Sequence, residues 1–275
     1  MDRNFKELLE SRWQSGNFLC VGLDPDFERI PEAVRQSGTR ETLVAFNRAI
    51  IDATKDLVCS FKLNTAFYEA HGDEGWNAMR ETIQYILESA PEVSVILDAK
   101  RGDIGNTNKQ YALSAFDHLH ADAVTVNPYM GGEPLEAFFD YKNKGVIVLI
   151  HTSNPGSGEI QNLSVEGVPL YKHIAKLACT TWNKNDNVCL MVGATYPEEL
   201  KEVRSVSDDL PVLIAGIGAQ DGDLQKTIQM GMNSKKKGLI VNASRSIIFA
   251  SSGADFAEAA RAKAQELHDS IEKAL

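Results

Sequence analysis

Acidic and basic residues follow closely on an apolar stretch of the chain. Residues 93–97 are mostly apolar and β-branched, and Asp98, Lys100 and Asp103 come directly after them. Residues two apart in an extended strand point to the same side, so we expect Asp98 and Lys100 to project into one small volume. Gly102 should then let the backbone turn. Because neighbouring carboxylates favour the charged form of a lysine, Lys100 is a candidate proton donor.

An exposed ion pair is the simpler interpretation of an Asp-x-Lys sequence at a strand end. Such pairs contribute little to stability. The preceding strand has the composition of a wholly buried one, however, which would put these charges at the mouth of a core. Charged groups in that position are more often functional, so the position favours a site.

Composition and net charge limit the classes of partner. The chain has 275 residues, of which 43% are hydrophobic and 24% charged. These values are typical of a globular α/β protein, and we expect residues 1–275 to form one domain. The formal net charge of -10 disfavours nucleic acid and anionic membrane surfaces as partners. A small anionic substrate remains possible, because a local pocket can be positive.

Cysteine spacing and the N-terminal residues predict a cytoplasmic protein. The four cysteines are scattered without a C-x-x-C pair, so we expect free thiols in a reducing compartment. The first residues have neither the apolar core of a signal peptide nor an arginine-rich transit pattern. No apolar run approaches the roughly 20 residues that span a bilayer.

The rest of the sequence alternates short apolar strands with amphipathic helices, the pattern of a parallel sheet with helical crossovers. The predicted strands are residues 18–25, 57–64, 93–98, 121–128, 145–151, 187–193, 211–216 and 238–242. Nine helices are predicted at 5–13, 41–55, 76–89, 108–119, 133–141, 170–184, 197–206, 224–230 and 254–274. We expect the Gly- and Pro-rich segment 152–169 to be a long loop that acts as a lid.

Eight such strands predict a closed (β/α)8 TIM barrel, with an open doubly wound sheet as the alternative. The positions of the polar residues favour the barrel. Asp24, Lys62, Asp98, Asn127 and Ser153 all fall at or just after the carboxyl end of a strand. In a barrel these ends form one face, and active sites are built there.

The loops after the last two strands could hold a phosphate group. Gly216 and Gly218 follow the seventh strand, and Arg245 follows the eighth. Glycines let the backbone approach a phosphate closely, and a guanidinium can bind two of its oxygens. The six histidines show no metal-ligand spacing, and His151 alone lies at a strand end. We therefore predict neither a metal ion nor an organic cofactor.

The string Asp98-x-Lys100-x-x-Asp103-Ile104-x-x-Thr107 resembles the signature of the orotidine 5'-phosphate decarboxylase family, in particular its second, mainly bacterial, sequence group. The resemblance extends over nearly the whole chain. It implies a barrel enzyme that decarboxylates orotidine 5'-phosphate to uridine 5'-phosphate in the last step of UMP synthesis.

The resemblance also implies roles for individual residues. Lys62, Asp98, Lys100 and Asp103 would form an alternating charge array, with Asp103 and Thr107 contributed to the other subunit's site in a homodimer. The residues that would bind the nucleotide, with Ser153 on the pyrimidine and Gln220 and Arg245 on the phosphate, are Asp24, Ile104, Thr107, Ser153, Gln220 and Arg245. Many relatives have proline where this chain has Ala215, so no contact is assigned there.

The implied chemistry suits these residues. Loss of carbon dioxide leaves a carbanion at C6 of the pyrimidine, which fixed charges can stabilise and Lys100 can protonate. Three alternatives remain open: a Mg-dependent sugar-phosphate synthase or decarboxylase of the same superfamily, a non-catalytic nucleotide-binding barrel, and a Schiff-base aldolase. The last needs a lysine of lowered pKa, which neighbouring carboxylates oppose.

Overall fold

The described residues form a closed barrel of eight parallel strands. The computed structural model describes residues 3–194, 197–207, 209–217 and 224–275. The strands, here β1 to β8, are Leu19–Gly22, Val58–Asn64, Ser94–Arg101, Ala123–Val126, Gly145–His151, Val188–Gly193, Val212–Ala215 and Leu239–Ala243. Each strand pairs with its neighbours in sequence, and β1 closes the barrel against β8. The predicted barrel is confirmed, and the open sheet is wrong.

The helices surround the barrel because, after each parallel strand, the chain must cross back to the edge where the next strand begins. They are α1 Phe5–Gln14, α2 Thr39–Thr54, α3 Ala66–Glu69, α4 Gly72–Ser89, α5 Gly105–Ala112, α6 Glu136–Phe139, α7 Gly158–Gln161, α8 Leu170–Leu177, α9 Pro197–Ser207, α10 Leu224–Gly231, α11 Arg245–Ile248 and α12 Phe256–Ala274. None of the helices in the described ranges has the length and apolar character needed to cross a membrane.

Helix α1 packs across the amino-terminal end of the barrel. Asn4 caps it by accepting hydrogen bonds from two backbone N–H groups of its first turn. Phe5 and Trp13 are buried, and the Trp13 indole donates to the carbonyl of Leu239 at the start of β8 (2.8 Å). This end of the barrel is therefore covered, and the carboxyl ends of the strands are left to form a pocket.

Two predicted helices change their winding near the end. The helix predicted over 108–119 is α5 followed by a π-helical turn, Leu113–His118. The helix predicted over 170–184 is α8 followed by a second π-helical turn, Ala178–Trp182. The hydrophobic pattern gives the face of a helix but not its winding, so sequence spacing could not show these turns.

The segment 152–169 has secondary structure of its own. It contains α7 and a two-stranded antiparallel hairpin, Ser164–Val165 with Val168–Pro169. The Gln161 side chain accepts a hydrogen bond from the Thr152 backbone N–H at 2.9 Å. This bond ties the end of α7 to the start of the segment. The prediction of a bare loop is wrong, although the segment does lie beside the carboxyl end of β5.

Candidate active site

The carboxyl ends of the strands enclose a polar pocket of about 460 Å³. The described residues that line it come from the ends of β1, β2, β3, β7 and β8 and the loops that follow. They are Asp24, Arg29, Lys62, Asn64, Asp98, Gly216, Ile217, Asn242, Ser244, Arg245 and Ser246. Four of the residues predicted from the sequence, Asp24, Lys62, Asp98 and Arg245, thus meet in one cavity.

Lys62 lies between two carboxylates. Its Nζ is 3.0 Å from Asp98 Oδ2 and 3.7 Å from Asp24 Oδ1, and its side chain is only 3% exposed. Asp24 is positioned in turn by the backbone N–H of Asn64, which donates to Oδ1 at 3.2 Å. The strand ends of β1, β2 and β3 therefore place one buried cation between two anions.

Lys100 contacts the other oxygen of Asp98. Its Nζ lies 2.6 Å from Asp98 Oδ1, while its side chain remains 40% exposed. Among the described residues the ion pair of Lys100 is with Asp98 and not with Asp103. Asp98 is thus the central anion of the array, with one lysine on each oxygen.

The backbone reaches this arrangement differently from the prediction. Lys100 has a φ of +47°, in the left-handed region, so it does not continue the extended strand. Gly102 instead permits close approach, because a Cβ there would lie 2.6 Å from the carbonyl oxygen of Asn127. The prediction that Asp98 and Lys100 lie close together is correct, but the reason given for it is wrong. A bulge in β3, not regular strand alternation, brings them together.

The charges of this array hold each other in the ionised form. Burial opposes the charge of Lys62, but the carboxylates of Asp24 and Asp98 outweigh it and raise the Lys62 pKa above its ordinary value. Burial likewise opposes ionisation of Asp98, but Lys62 and Lys100 lower its pKa well below the ordinary range. Lys62 and Asp98 are therefore both charged at neutral pH.

The side of the pocket formed by the loops after β1 and β8 carries two arginines. Arg245 begins α11 directly after β8, and Arg29 lies over the ring of Phe249 at 4.3 Å from its centroid. Two further polar atoms of the lining, Asn242 Oδ1 and Ser246 Oγ, are buried and have no hydrogen-bond partner within the described part of the chain. This side is suited to an anionic group such as a phosphate.

Ser153 lies beside the pocket, next to the residues that line it. A Cβ on Gly193 would be 2.7 Å from the Ser153 backbone nitrogen, so only glycine allows β6 to approach the end of β5 this closely. A Cβ on Gly216, which lines the pocket, would be 3.7 Å from Ser153 Oγ. Gln220 and Gly218 lie outside the described residues.

Three predicted residues lie away from this pocket. Asp103, Ile104 and Thr107 are not among its described lining residues, and the Ile104 side chain is 58% exposed. Asn108 holds the backbone of Asp103: its side chain accepts from the Asp103 N–H at 3.0 Å and donates to the Asp103 carbonyl at 2.7 Å. Asp103 and Thr107 are half-buried, and Thr107 lies in the first turn of α5.

Sequence reasoning missed Arg29, Asn64 and Thr125. Arg29 follows a polar loop, where the sequence gives no distinguishing signal. Thr125 is the polar residue in the apolar run of β4, and Asn64 ends β2 two residues after Lys62. The rule that selected Lys62, a polar residue at a strand end, could have flagged Asn64.

His151 has a structural environment. It is 1% exposed, packs edge-on to Tyr171 with ring centroids 5.0 Å apart, and its Nε2 lies 3.1 Å from Asn162 Oδ1. These contacts account for the burial of His151. The buried thiols of Cys20, Cys59 and Cys189 are free, as predicted.

Comparisons with known proteins agree with this geometry. The model of the orotidine 5'-phosphate decarboxylase / HUMPS family matches residues 17–262. Orotidine 5'-phosphate decarboxylase from Cellvibrio japonicus (strain Ueda107) is 45% identical over 269 residues, covering 98% of each chain. The protein of that name from Ralstonia pickettii (strain 12J) is 46% identical over 268 residues, covering 97% of each chain. The structure of Leishmania donovani OMP decarboxylase matches with a TM-score of 0.86 at 38% identity, covering 98% of each chain. The chain belongs to the orotidine 5'-phosphate decarboxylase / HUMPS family.

Proposed function

We propose that this chain decarboxylates orotidine 5'-phosphate to uridine 5'-phosphate and carbon dioxide, the last step of UMP synthesis, in the cytoplasm. The observation that carries the proposal is the buried array in which Asp98 accepts from Lys62 and Lys100 on separate oxygens. The 45% identity over 269 residues to an orotidine 5'-phosphate decarboxylase supports the same reaction. The whole of residues 1–275 would act as one barrel domain.

The charges of the pocket match those of the substrate. Arg29, Lys62 and Arg245 outnumber Asp24 and Asp98 among the described lining residues, and Lys100 adds a further cation beside them. A nucleotide monophosphate with a carboxylate on its base carries negative charge at both ends. Arg245 would bind the phosphate at one end and Lys100 would face the base at the other.

The chemical step follows from this placement. As carbon dioxide leaves C6, the electron pair stays on that carbon, and the fixed ammonium groups stabilise it. Lys100 Nζ, which contacts Asp98 and belongs to a side chain that is 40% exposed, would transfer a proton to C6. Asp98 would lie near the departing carboxylate and disfavour it relative to the transition state. Asp24 would contact the ribose, Ser153 the pyrimidine and Gln220 the phosphate, while segment 152–169 closes over them.

We further propose that the active form is a homodimer with shared sites. Asp103 and Ile104, in the loop after β3, and Thr107, in α5, do not line the described pocket of their own chain, which leaves them available to a partner's site. Tyr129 and Met130, in the loop after β4, are 83% and 49% exposed and supply apolar surface for such an interface. Asp103 and Thr107 would then complete the partner's array.

The magnesium-dependent alternative uses carboxylates as metal ligands. In this pocket each carboxylate contacts a lysine: Asp98 is paired with Lys62 and Lys100, and Asp24 lies 3.7 Å from Lys62. A divalent cation would have to displace these ammonium groups from oxygens that they already occupy. The contacts therefore favour the charge array.

Loss of the orotate absorbance in excess EDTA tests the reaction directly. We expect wild type to turn over orotidine 5'-phosphate and Lys100→Ala to be inactive while it still binds the nucleotide. A requirement for added magnesium, or binding by wild type without turnover, would refute the proposal.

Mixing two inactive variants tests the shared site. If Asp103 serves the partner's pocket, random mixing of Lys100→Ala with Asp103→Asn subunits should leave about a quarter of the sites with neither defect. Activity should therefore reappear on mixing. Asp103→Asn with full activity, or no recovery on mixing subunits shown to exchange, would contradict the shared site.

A further inference from the structure

The residue that fixes the geometry of Asp98 and Lys100 is a buried threonine on the neighbouring strand. Along β3 and β4, Leu97 pairs with Val124 and Arg101 pairs with Val126. Three residues of β3, 98–100, therefore stand opposite the single residue Thr125. This is a β-bulge, and it contains both charged residues of the Asp-x-Lys sequence.

The Thr125 hydroxyl spans this bulge. Its Oγ1 lies 2.9 Å from Asp98 Oδ1 and 2.9 Å from the backbone nitrogen of Lys100. An ionised carboxylate can only accept and a backbone N–H can only donate, so the direction of both bonds is determined. The hydroxyl proton goes to Asp98, and a hydroxyl lone pair takes the N–H of Lys100.

Both bonds act on groups that need them. The backbone of Lys100 is in the left-handed region, where it cannot continue the ladder with β4, and its N–H still requires an acceptor. Asp98 Oδ1 also receives Lys100 Nζ at 2.6 Å, so the carboxylate must keep one orientation to serve both lysines. A side chain without a hydroxyl at position 125 would leave the N–H unpaired and the carboxylate less constrained.

We propose that Thr125 is a positioning residue for this reaction: its hydroxyl holds the carboxylate of Asp98 and the backbone of Lys100 in the arrangement that proton transfer needs. The proposal rests on the catalytic roles proposed above for Asp98 and Lys100. Thr125 is 0% exposed and is not among the described lining residues of the pocket, so it acts through these two residues rather than on the substrate.

Three substitutions of Thr125, measured together, test this role. Thr125→Val keeps the β-branched shape and removes the hydroxyl, whereas Thr125→Ser keeps the hydroxyl. We expect kcat of Thr125→Val to fall about 10- to 100-fold, the factor for a lost hydrogen bond to a charged group, with KM changed less than about threefold. Thr125→Ser should stay within about threefold of wild type in kcat. Thr125→Ala differs from Thr125→Ser by one oxygen atom, so that pair isolates the hydroxyl if the valine variant folds poorly.

Lys100→Ala in the same assay separates this inference from the reaction itself. If Lys100→Ala is inactive but Thr125→Val and Thr125→Ala keep the wild-type kcat, the positioning role is wrong and the proposed function stands. If Thr125→Ser is as slow as Thr125→Ala, packing rather than the hydroxyl matters, and the role is also wrong. If Lys100→Ala remains active, the catalytic role proposed for Lys100 is wrong and the positioning role falls with it; if wild type does not turn over the nucleotide, the proposed function itself fails.

Discussion

Replacing Asp98 with asparagine removes the one anion that both lysines of the array share. Asp98 is 4% exposed, and it accepts from Lys62, Lys100 and Thr125 at 3.0, 2.6 and 2.9 Å. Asparagine has one acceptor oxygen, so its amide N–H2 group must point toward one of these donors. The substitution therefore removes a charge and adds an unfavourable contact without changing the size of the side chain.

The expected loss of stability comes mainly from Lys62. At 3% exposure Lys62 cannot turn into water, whereas Lys100 at 40% exposure can. Breaking a buried ion pair costs about 3–5 kcal/mol. Asp24, 3.7 Å from Lys62, still offers partial compensation, so the lower end, about 3 kcal/mol, applies. For a chain of this size that corresponds to a fall of about 6–12 °C in Tm.

The pH dependence has a definite sign. The folded-state pKa of Asp98 is lowered, because Lys62 and Lys100 outweigh the effect of burial. Its stabilising contribution is therefore fully present above the unfolded pKa of about 3.9 and is lost as pH falls from there toward the folded value. The Tm difference between wild type and Asp98→Asn should be constant from about pH 6 to about pH 8, well above the unfolded pKa, and should shrink in acid.

Asp122→Asn is the matched control. Asp122 has a side-chain exposure of 0%, lies 2.8 Å from Arg3 Nη2, and precedes β4 at the opposite end of the barrel. Both variants should lower Tm in thermal unfolding. Only Asp98→Asn should lower kcat, by about 100-fold or more, because removing a preorganised charge weakens transition-state stabilisation. Equal kcat losses in the two variants, or a Tm of Asp98→Asn above that of wild type, would refute the reasoning.

Two further substitutions test the phosphate end of the pocket and a buried hydrogen bond next to Asp24. Arg245→Ala should lower kcat/KM by about 100-fold for orotidine 5'-phosphate, because a lost charge-assisted contact to a remote phosphate weakens transition-state binding. With orotidine, which lacks the phosphate, wild type and Arg245→Ala should be equal in the same absorbance assay; a difference would mean that Arg245 does not act on the phosphate. Tyr68→Phe removes a buried hydroxyl that donates to the Leu23 carbonyl at 3.0 Å, next to Asp24. It should destabilise the fold by about 1–3 kcal/mol in thermal unfolding by leaving that carbonyl unpaired, and an unchanged Tm would argue against this.

The sequence predicted the barrel, and it placed Asp24, Lys62 and Asp98 at one rim of it, because both depend on local patterns. Each strand is a short apolar run, and a charged residue directly after such a run must lie on the carboxyl-end face of a parallel barrel. That rule alone selects Asp24, Lys62 and Asp98. It needs no knowledge of which strands are neighbours, since all eight ends meet at one rim.

The bulge could not be predicted, because it depends on register. Nothing in residues 98–101 shows that Lys100 takes the left-handed conformation or that three residues oppose Thr125. Register is decided by pairing between β3 and β4, which are distant in sequence. Arg29 was missed for a related reason: its position depends on how a polar loop folds back to stack it on Phe249.

The same bulge explains how a buried array can be rigid. Charged side chains usually move toward water, but here each is fixed by contacts from its own chain: Lys62 by two carboxylates, and Asp98 by two lysines and Thr125. Dipoles and charges that are already oriented need no reorganisation as the carbanion forms, and that reorganisation is the main cost of stabilising charge in water. Burying these charges costs free energy, which the apolar contacts of the surrounding barrel offset, so substitutions that loosen β3 against β4 should reduce kcat before they unfold the protein.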